Sequence, residues 1–559
     1  MTDVLFQIGV SPAEAGLPPP EYRTEVVDGM RIERDVAIPL SDGFRIYADV
    51  YRPDGTRNVP VILAWGPYGK HLTGPANYAH IPNEKGEGGC GVDPAWLSPY
   101  TGFEAPDPVT WVNAGYAVMT VNPRALWWSE GDYATIWGER EARDVVDAIA
   151  WAGTQEWSSG KVGMCGVSYL AIIQWWVAAM RPPYLAAINP CEGASDIYRE
   201  FLLHGGIRDT GFPVFWQHNR LKFSTSKVEA IADMVVEHPL DDAYWDSKRP
   251  DPSQIEVPAY VIASWSDQGL HTRGTLAAFE KLKSAHKYLE IHGRKKWAYF
   301  HEPSTFDRQR EFFDRFLKGK AGTDTEAWPL VRYELRTGYY EGVQCVSDSW
   351  PLPGRALHEL HLDAATGSLV GDAPEAATAS YMASEDGGEA VFDYRFDRET
   401  NIVGSAGLRL WITAENADDA DLFVGLRKFD ADGNAVDFPF ANTLEKGPVA
   451  LGWLRASHRE TDPARSTPDR PWHPHRAERP LVPGEPTLVE IELWPSGTRF
   501  LPGERLQLVV RGSDIYTKAM FSRHLETRNQ GTHTISTGGS YDSKLIFGIL
   551  ENPLPTPAG

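Results

Sequence analysis

Hydrophobic and polar positions along the first 320 residues follow a rhythm of buried strand and amphipathic helix. From the turn dipeptide Asp42-Gly43 the chain is strand-like from Phe44 to Tyr51, turns at Pro53-Asp54-Gly55 and enters the apolar run Val59 to Trp65. That pattern predicts a hairpin feeding a buried strand. Tyr116 to Val121 predicts another buried strand, and Glu139 to Trp151 a helix on which Ala142, Val145, Val146 and Ile149 recur at helical spacing. Lys161 to Cys165 reads as a short strand, Tyr169 to Met180 as an apolar helix and Tyr184 to Ile188 as a further strand. Such alternation implies a mostly parallel sheet in an α/β core. Helical and aromatic segments break the rhythm from about Cys191 to Pro250, before Val257 to Trp265 and Lys287 to Ile291 restore buried strands. We read the interruption as an inserted helical cap over 192–250, dividing a core of 20–191 and 251–325. After a helix over Phe306 to Leu317, only short strands and turns remain, among them Leu408 to Ile412, Leu422 to Phe429, Leu488 to Leu493 and Leu506 to Val510. They predict a separate all-β domain over 330–559. No self-similarity at 20–50 residues suggests a repeat array.

Size and charge narrow the reading. A chain of 559 residues exceeds a single core and calls for two or three domains. With 54 basic against 76 acidic side chains, a net charge of −22 repels nucleic acid and anionic membranes, so neither is expected as a partner. The four cysteines, Cys90, Cys165, Cys191 and Cys345, form no C-x-x-C pair, which favours neither a zinc site nor a disulfide framework and fits a reduced, cytoplasmic setting. Met1 to Phe6 lacks the basic and apolar segments of a secretion signal, and no apolar run is long enough for a bilayer, so a soluble intracellular protein is expected.

Candidate chemistry centres on Gly166-Val167-Ser168-Tyr169, which follows a strand and opens a helix. A nucleophile elbow needs this context, because the tight turn exposes the serine hydroxyl above the sheet and aims the backbone N–H of Tyr169 at a developing oxyanion. Leu170 stands where the G-x-S-x-G pattern has its second glycine, with the small Ala171 one place later. The chain order serine, acid, histidine places the acid at Asp267, after the buried run Val257 to Trp265. For the base we favour His292, at the mouth of the next strand, with His301 as the alternative, because strand ends fix side-chain position better than loops. His271, four residues after Asp267, is read as a pocket or surface histidine, too near in chain to face both partners easily, and is kept as a minor alternative for the base. Three other patterns are set aside. Gly86-Glu87-Gly88-Gly89-Cys90-Gly91 lacks a preceding strand and reads as a loop, Asp430 to Asn434 reads as a hairpin turn, and His473-Pro474-His475 as exposed loop.

Gly166 to Leu170, Trp65-Gly66-Pro67-Tyr68-Gly69-Lys70 and Ser264-Trp265-Ser266-Asp267 together resemble the CocE/NonD (cocaine-esterase-like) and X-Pro dipeptidyl-peptidase hydrolases. Leu451 to Arg459 and Phe500 to Leu506 resemble that family's C-terminal jelly-roll (galactose-binding-like) domain, so the match covers most of the chain. The resemblance implies an α/β-hydrolase core and a serine esterase that works through an acyl enzyme without metal or organic cofactor. It also implies that the Tyr68 hydroxyl is the second oxyanion donor, beside the Tyr169 N–H. A small-molecule ester or amide would be the substrate, a homo-oligomer is conceivable, and the relatives keep aminopeptidase, amidase and α-amino-acid ester hydrolase activity open. A non-catalytic binding protein is the contrasting class. Glu192, Asp196, Glu200 and Asp209 could offer a carboxylate to a free amino group, although solvated acidic positions are the commoner reading. The family's Gly-Pro-Trp-x-His is replaced by Gly293-Arg294-Lys295-Lys296-Trp297, which puts Trp297 where the histidine is expected.

Overall fold

A computed structural model describes residues 4–81, 89–384, 388–518, 522–552 and 554–555. Half of the segment read as a loop, 86–88 of Gly86 to Gly91, falls outside the described residues.

The ten strands that position the site are β1 (Arg23–Val27), β2 (Met30–Pro39), β3 (Arg45–Pro53), β4 (Val59–Trp65), β5 (Ala117–Asn122), β6 (Ser158–Val167), β7 (Leu185–Cys191), β8 (Ala259–Ser264), β9 (Lys287–His292) and β10 (Val331–Gly338). They lie side by side in the order β1-β2-β3-β5-β4-β6-β7-β8-β9-β10. The pairings from β1 to β5 are antiparallel, and those from β5 to β10 are parallel. Every residue of β4, β5 and β8 is buried, as expected of parallel strands covered on both faces. Helices α1 (Glu139–Gly153), α2 (Tyr169–Ala179), α3 (Thr272–Lys281) and α4 (Pro303–Phe316) cover the sheet. On α1 the buried face is Ala142, Val145, Ala148, Ile149 and Ala152, while α2 is buried along nearly its whole surface.

Between β7 and β8 the chain carries a π-helical turn (Tyr198–Leu202), a short hairpin and helices Phe212–Arg220, Ile231–Glu237 and Ala243–Asp246. Its strand Lys227–Glu229 pairs with both Phe6–Ile8 and Tyr133–Ala134, tying this insertion to the N-terminus and the core. The acidic positions expected to be solvated here are buried instead: Glu192, Asp196, Glu200 and Asp209 are all 5% exposed or less. Each is matched to cations, hydroxyls or backbone N–H groups, which lowers the cost of taking a carboxylate out of water.

The core sheet reaches further along the chain than the sequence pattern suggested, because β10 at 331–338 adds to β9 in parallel. At its far end Arg336 pairs with Thr498, joining the core to the antiparallel strands of the C-terminal β domain. That domain packs its own apolar cluster, including Leu408, Leu410, Ile412, Val489, Ile491 and Leu508. Asp430 to Asn434 forms the turn of the hairpin that pairs Phe429 with Ala435. His473 and His475 are buried, against the exposed-loop reading. The insertion covers this loop: Arg199 donates to the His473 carbonyl at 2.8 Å and the Asp241 N–H to that of His475 at 2.9 Å. Among the described residues no helix is long and apolar enough to cross a membrane.

Candidate active site

Ser168 stands between β6 and α2 with φ 60° and ψ −114°, a conformation that a non-glycine residue holds only where its surroundings enforce it. The enforcing contacts are backbone hydrogen bonds. The Val167 N–H donates to the Glu104 carbonyl and the Ser168 N–H to that of Cys191, both at 3.0 Å, and the Ser168 carbonyl accepts the first helical bonds from Ala171 and Ile172. Glycine is needed at 166 because a Cβ there would lie 2.5 Å from Leu170 Cβ, and at 66 because a Cβ would overlap Leu170 Cδ1. The room that a second elbow glycine would give is thus supplied by Gly66 and Gly166, and Leu170 fills it.

The structure brings His271, not His292, to the serine: His271 Nε2 is 3.0 Å from Ser168 Oγ. His271 caps the N-terminus of α3, and the turn before it folds back so that the N–H groups of His271 and Thr272 both reach the Asp267 carbonyl. Residues four apart on such a turn share a face, which is why proximity in sequence does not keep this histidine from the site. Burial, and then the nearby Lys296 charge, hold the imidazole well below its usual range, so it is neutral and able to accept a proton. His292 is occupied elsewhere. Its Nε2 lies 3.1 Å from Glu192 Oε1, its Nδ1 accepts the Arg294 N–H at 3.1 Å, and its ring stacks on Tyr299. Strand β9 ends beside the 192 segment, so the firm placement that favoured His292 fixes it against Glu192. His301 bonds the Tyr78 hydroxyl at 2.9 Å.

Asp267 Oδ2 lies 4.0 Å from His271 Nε2 and 2.9 Å from Lys296 Nζ. The carboxylate therefore flanks the nitrogen that faces the serine, while Nδ1 is turned towards the Gly193 backbone without closing a well-formed hydrogen bond. Asp267, Glu192 and Glu104 are fully buried, and burial raises each to about 7, against the opposing pull of Lys296. Burial lowers the Lys296 ammonium, but Asp267, Glu104 and Glu192 raise it overall, so it remains charged. Trp297, at the family's histidine position, donates Nε1–H to Glu104 at 2.8 Å. Tyr68 is buried in the loop after β4, stands edge-to-face on Phe103 and accepts Trp216 Nε1–H at 3.4 Å. The Tyr169 hydroxyl is committed to Glu141 at 2.7 Å, leaving its backbone N–H at the start of α2 as the group that can serve a substrate oxygen. Sequence reasoning ranked His271 below His292 and His301, as a minor alternative, and missed Lys296 and Glu104. The available signals were a histidine four residues after the acid and a lysine beside the displaced family position.

A strained serine above a parallel sheet, bonded to a neutral buried histidine, defines a serine hydrolase on an α/β core. Comparison with known proteins agrees. The model of the X-Pro dipeptidyl-peptidase (S15 family) matches residues 42–230, and that of the X-Pro dipeptidyl-peptidase C-terminal non-catalytic domain matches 323–546. A crystal structure of a CocE/NonD family hydrolase from Staphylococcus aureus superposes with a TM-score of 0.90 at 38% identity, covering 96% of this chain and 98% of that one. Cocaine esterase from Rhodococcus sp. (strain MB1 Bresler) is 25% identical over a gapped span of 640 positions, covering 94% of this chain and all of the relative. An α-amino acid ester hydrolase at 17% identity shares the fold, with a TM-score of 0.68 and coverage of 94% and 98%. The chain belongs to the CocE/NonD hydrolase family, and it is a serine ester hydrolase.

Proposed function

We propose that the enzyme cleaves a carboxylic ester through an acyl intermediate on Ser168, with His271 as general base. The observation that carries this is the 3.0 Å contact between His271 Nε2 and Ser168 Oγ. The serine oxygen attacks the ester carbonyl as its proton passes to Nε2, and the tetrahedral oxyanion is met by the Tyr169 N–H and the Tyr68 hydroxyl, each donor being worth about 3 kcal/mol. The imidazolium then returns its proton to the departing alcohol oxygen. Water repeats the cycle on the acyl enzyme and releases the acid. Asp267, 4.0 Å from Nε2, favours the imidazolium as it forms. In this reading the core is an α/β-hydrolase with the 192–250 segment as its cap, and the antiparallel C-terminal strands form a jelly roll.

An ester is favoured over an aminoacyl substrate because three of the four acidic candidates of the insertion are already matched, while Glu192 faces the Ser264 hydroxyl and His292. Asp196 pairs with Arg199 and Arg249, Glu200 with Arg273, and Asp209 accepts the N–H groups of Gly211 and Ser522. A free ammonium group would have to displace those partners. The test is a fluorophosphonate probe together with p-nitrophenyl acyl esters and aminoacyl-prolyl anilides. Ser168→Ala should lose labelling and turnover, His271→Ala should lose roughly 10²–10⁴-fold in kcat, and His292→Ala should keep wild-type labelling. Equal labelling of wild type and Ser168→Ala, or loss with His292→Ala but not His271→Ala, would overturn the assignment; faster turnover of the anilides would overturn the choice of ester.

A further inference from the structure

A cavity of about 390 Å³ opens where α3, the insertion and the C-terminal β domain meet, and neither Ser168, His271 nor Tyr68 lines it. Its size falls within the roughly 300–1,000 Å³ of small-molecule sites. The residues of α3 that face it, Arg273, Leu276, Ala277, Glu280 and Lys281, recur at helical spacing, whereas Thr275 turns the other way and donates to the Gly193 carbonyl beside His271. Trp350, Leu352, Val403 and Trp472 supply apolar wall.

The charges of the lining do not balance. All five carboxylates are matched: Asp196 with Arg249, Glu200 and Glu492 with Arg273, Glu280 with Arg470, and Asp469 with Arg355. Two cations remain, Arg465 and Lys281, with no carboxylate at ion-pair distance among the described residues. In a chain where acidic side chains outnumber basic ones by 76 to 54, this is a local inversion of sign. Arg465 lies over Trp472, its guanidinium carbon 3.7 Å from the ring centroid, and the same indole carries Arg199 at 4.5 Å and Arg273 at 5.3 Å. A guanidinium held over an aromatic ring can offer its fork to a carboxylate at a reduced ordering cost.

We propose that this cavity is a second binding site, for an organic monocarboxylate whose apolar body lies between Trp350 and Trp472 and whose carboxylate meets Arg465 and Lys281. The probe is 4-phenylbutanoate, titrated calorimetrically into protein whose Ser168 carries a fluorophosphonate adduct, so that the catalytic pocket is already filled. One equivalent should bind, the neutral 4-phenylbutanamide should bind at least tenfold more weakly, and Lys281→Gln/Arg465→Gln should weaken the carboxylate at least tenfold. Both side chains are solvent-exposed, so the double variant should keep its fold and turn over ester within twofold of wild type. No binding to the adduct, equal binding of the amide, or unchanged affinity in the double variant would overturn the site. A serine that does not label bears on the hydrolase reading instead, and the same titration on Ser168→Ala then decides this one, with the same outcomes.

Discussion

At His271 the environment does two things that oppose each other in an ordinary histidine pair. Burial and Lys296 keep the ring neutral before reaction, while Asp267 favours the imidazolium that forms during it. The titrations that matter near neutrality therefore belong to the carboxylates. Asp267 loses its proton at about 7, so raising the pH through 7 adds negative charge 4.0 Å from Nε2 and should raise kcat. Because His271 titrates well below the usual histidine range, its own protonation should not set an acid limb between pH 6 and 7. The expected kcat profile rises with an apparent pKa of about 7 in wild type and is flat there in Asp267→Asn. An unchanged limb in Asp267→Asn would show that another group titrates. Ser168 and Asp267 were legible because chain order and strand ends announce them. His271 was not, because a separation of four residues says nothing of distance until the turn between them is known, and the family's histidine position, now Trp297, pointed elsewhere.

The central elements were legible to within a few residues, since strands buried on both faces read as continuous apolar runs, although Lys161 to Cys165 is only the middle of Ser158–Val167 and the outer strands β1, β2 and β10 were not read. Val59 to Trp65 was expected and found, and the helix opening at Tyr169 ends one residue earlier than its pattern suggested. The elbow's missing glycine was harder to read, because its compensation comes from Gly66 on another element, far along the chain. That compensation makes a specific expectation. Gly66→Ala would drive its Cβ into Leu170 Cδ1 and to 3.1 Å from Cγ, and overpacking of this kind costs about 1–3 kcal/mol. Adding Leu170→Ala should recover part of the loss, so the two changes should couple favourably in a double-mutant cycle measured by urea denaturation. Additive losses would mean that Leu170 does not fill the space the elbow lacks.

Across the whole molecule, the C-terminal β domain holds the loop that carries Asp267 and the proposed base His271, a role no local pattern in the sequence could announce. Gln268, fully buried between Asp267 and His271, spends its whole amide on that junction. It accepts the Leu451 N–H at 3.2 Å and donates to the carbonyls of Pro495 at 3.0 Å and Trp265 at 3.2 Å. The Ala441 N–H reaches the Ser266 carbonyl at 3.1 Å, and the Ser522 hydroxyl that of Gln268 at 3.2 Å. Gln268→Leu keeps similar bulk but strands buried polar groups, each costing about 1–3 kcal/mol. The loop can relieve that cost by shifting, and a shift moves His271 away from Ser168. We expect kcat and the fluorophosphonate labelling rate to fall together by at least tenfold, with KM within threefold of wild type. Leu508→Ala, in the β domain's own core, should lower Tm comparably and leave kcat nearly intact, which separates loss of stability from loss of alignment. If Gln268→Leu turned over ester at the wild-type rate, or if Leu508→Ala lost as much activity, the domain would be a stabiliser of the fold rather than the clamp that sets the base.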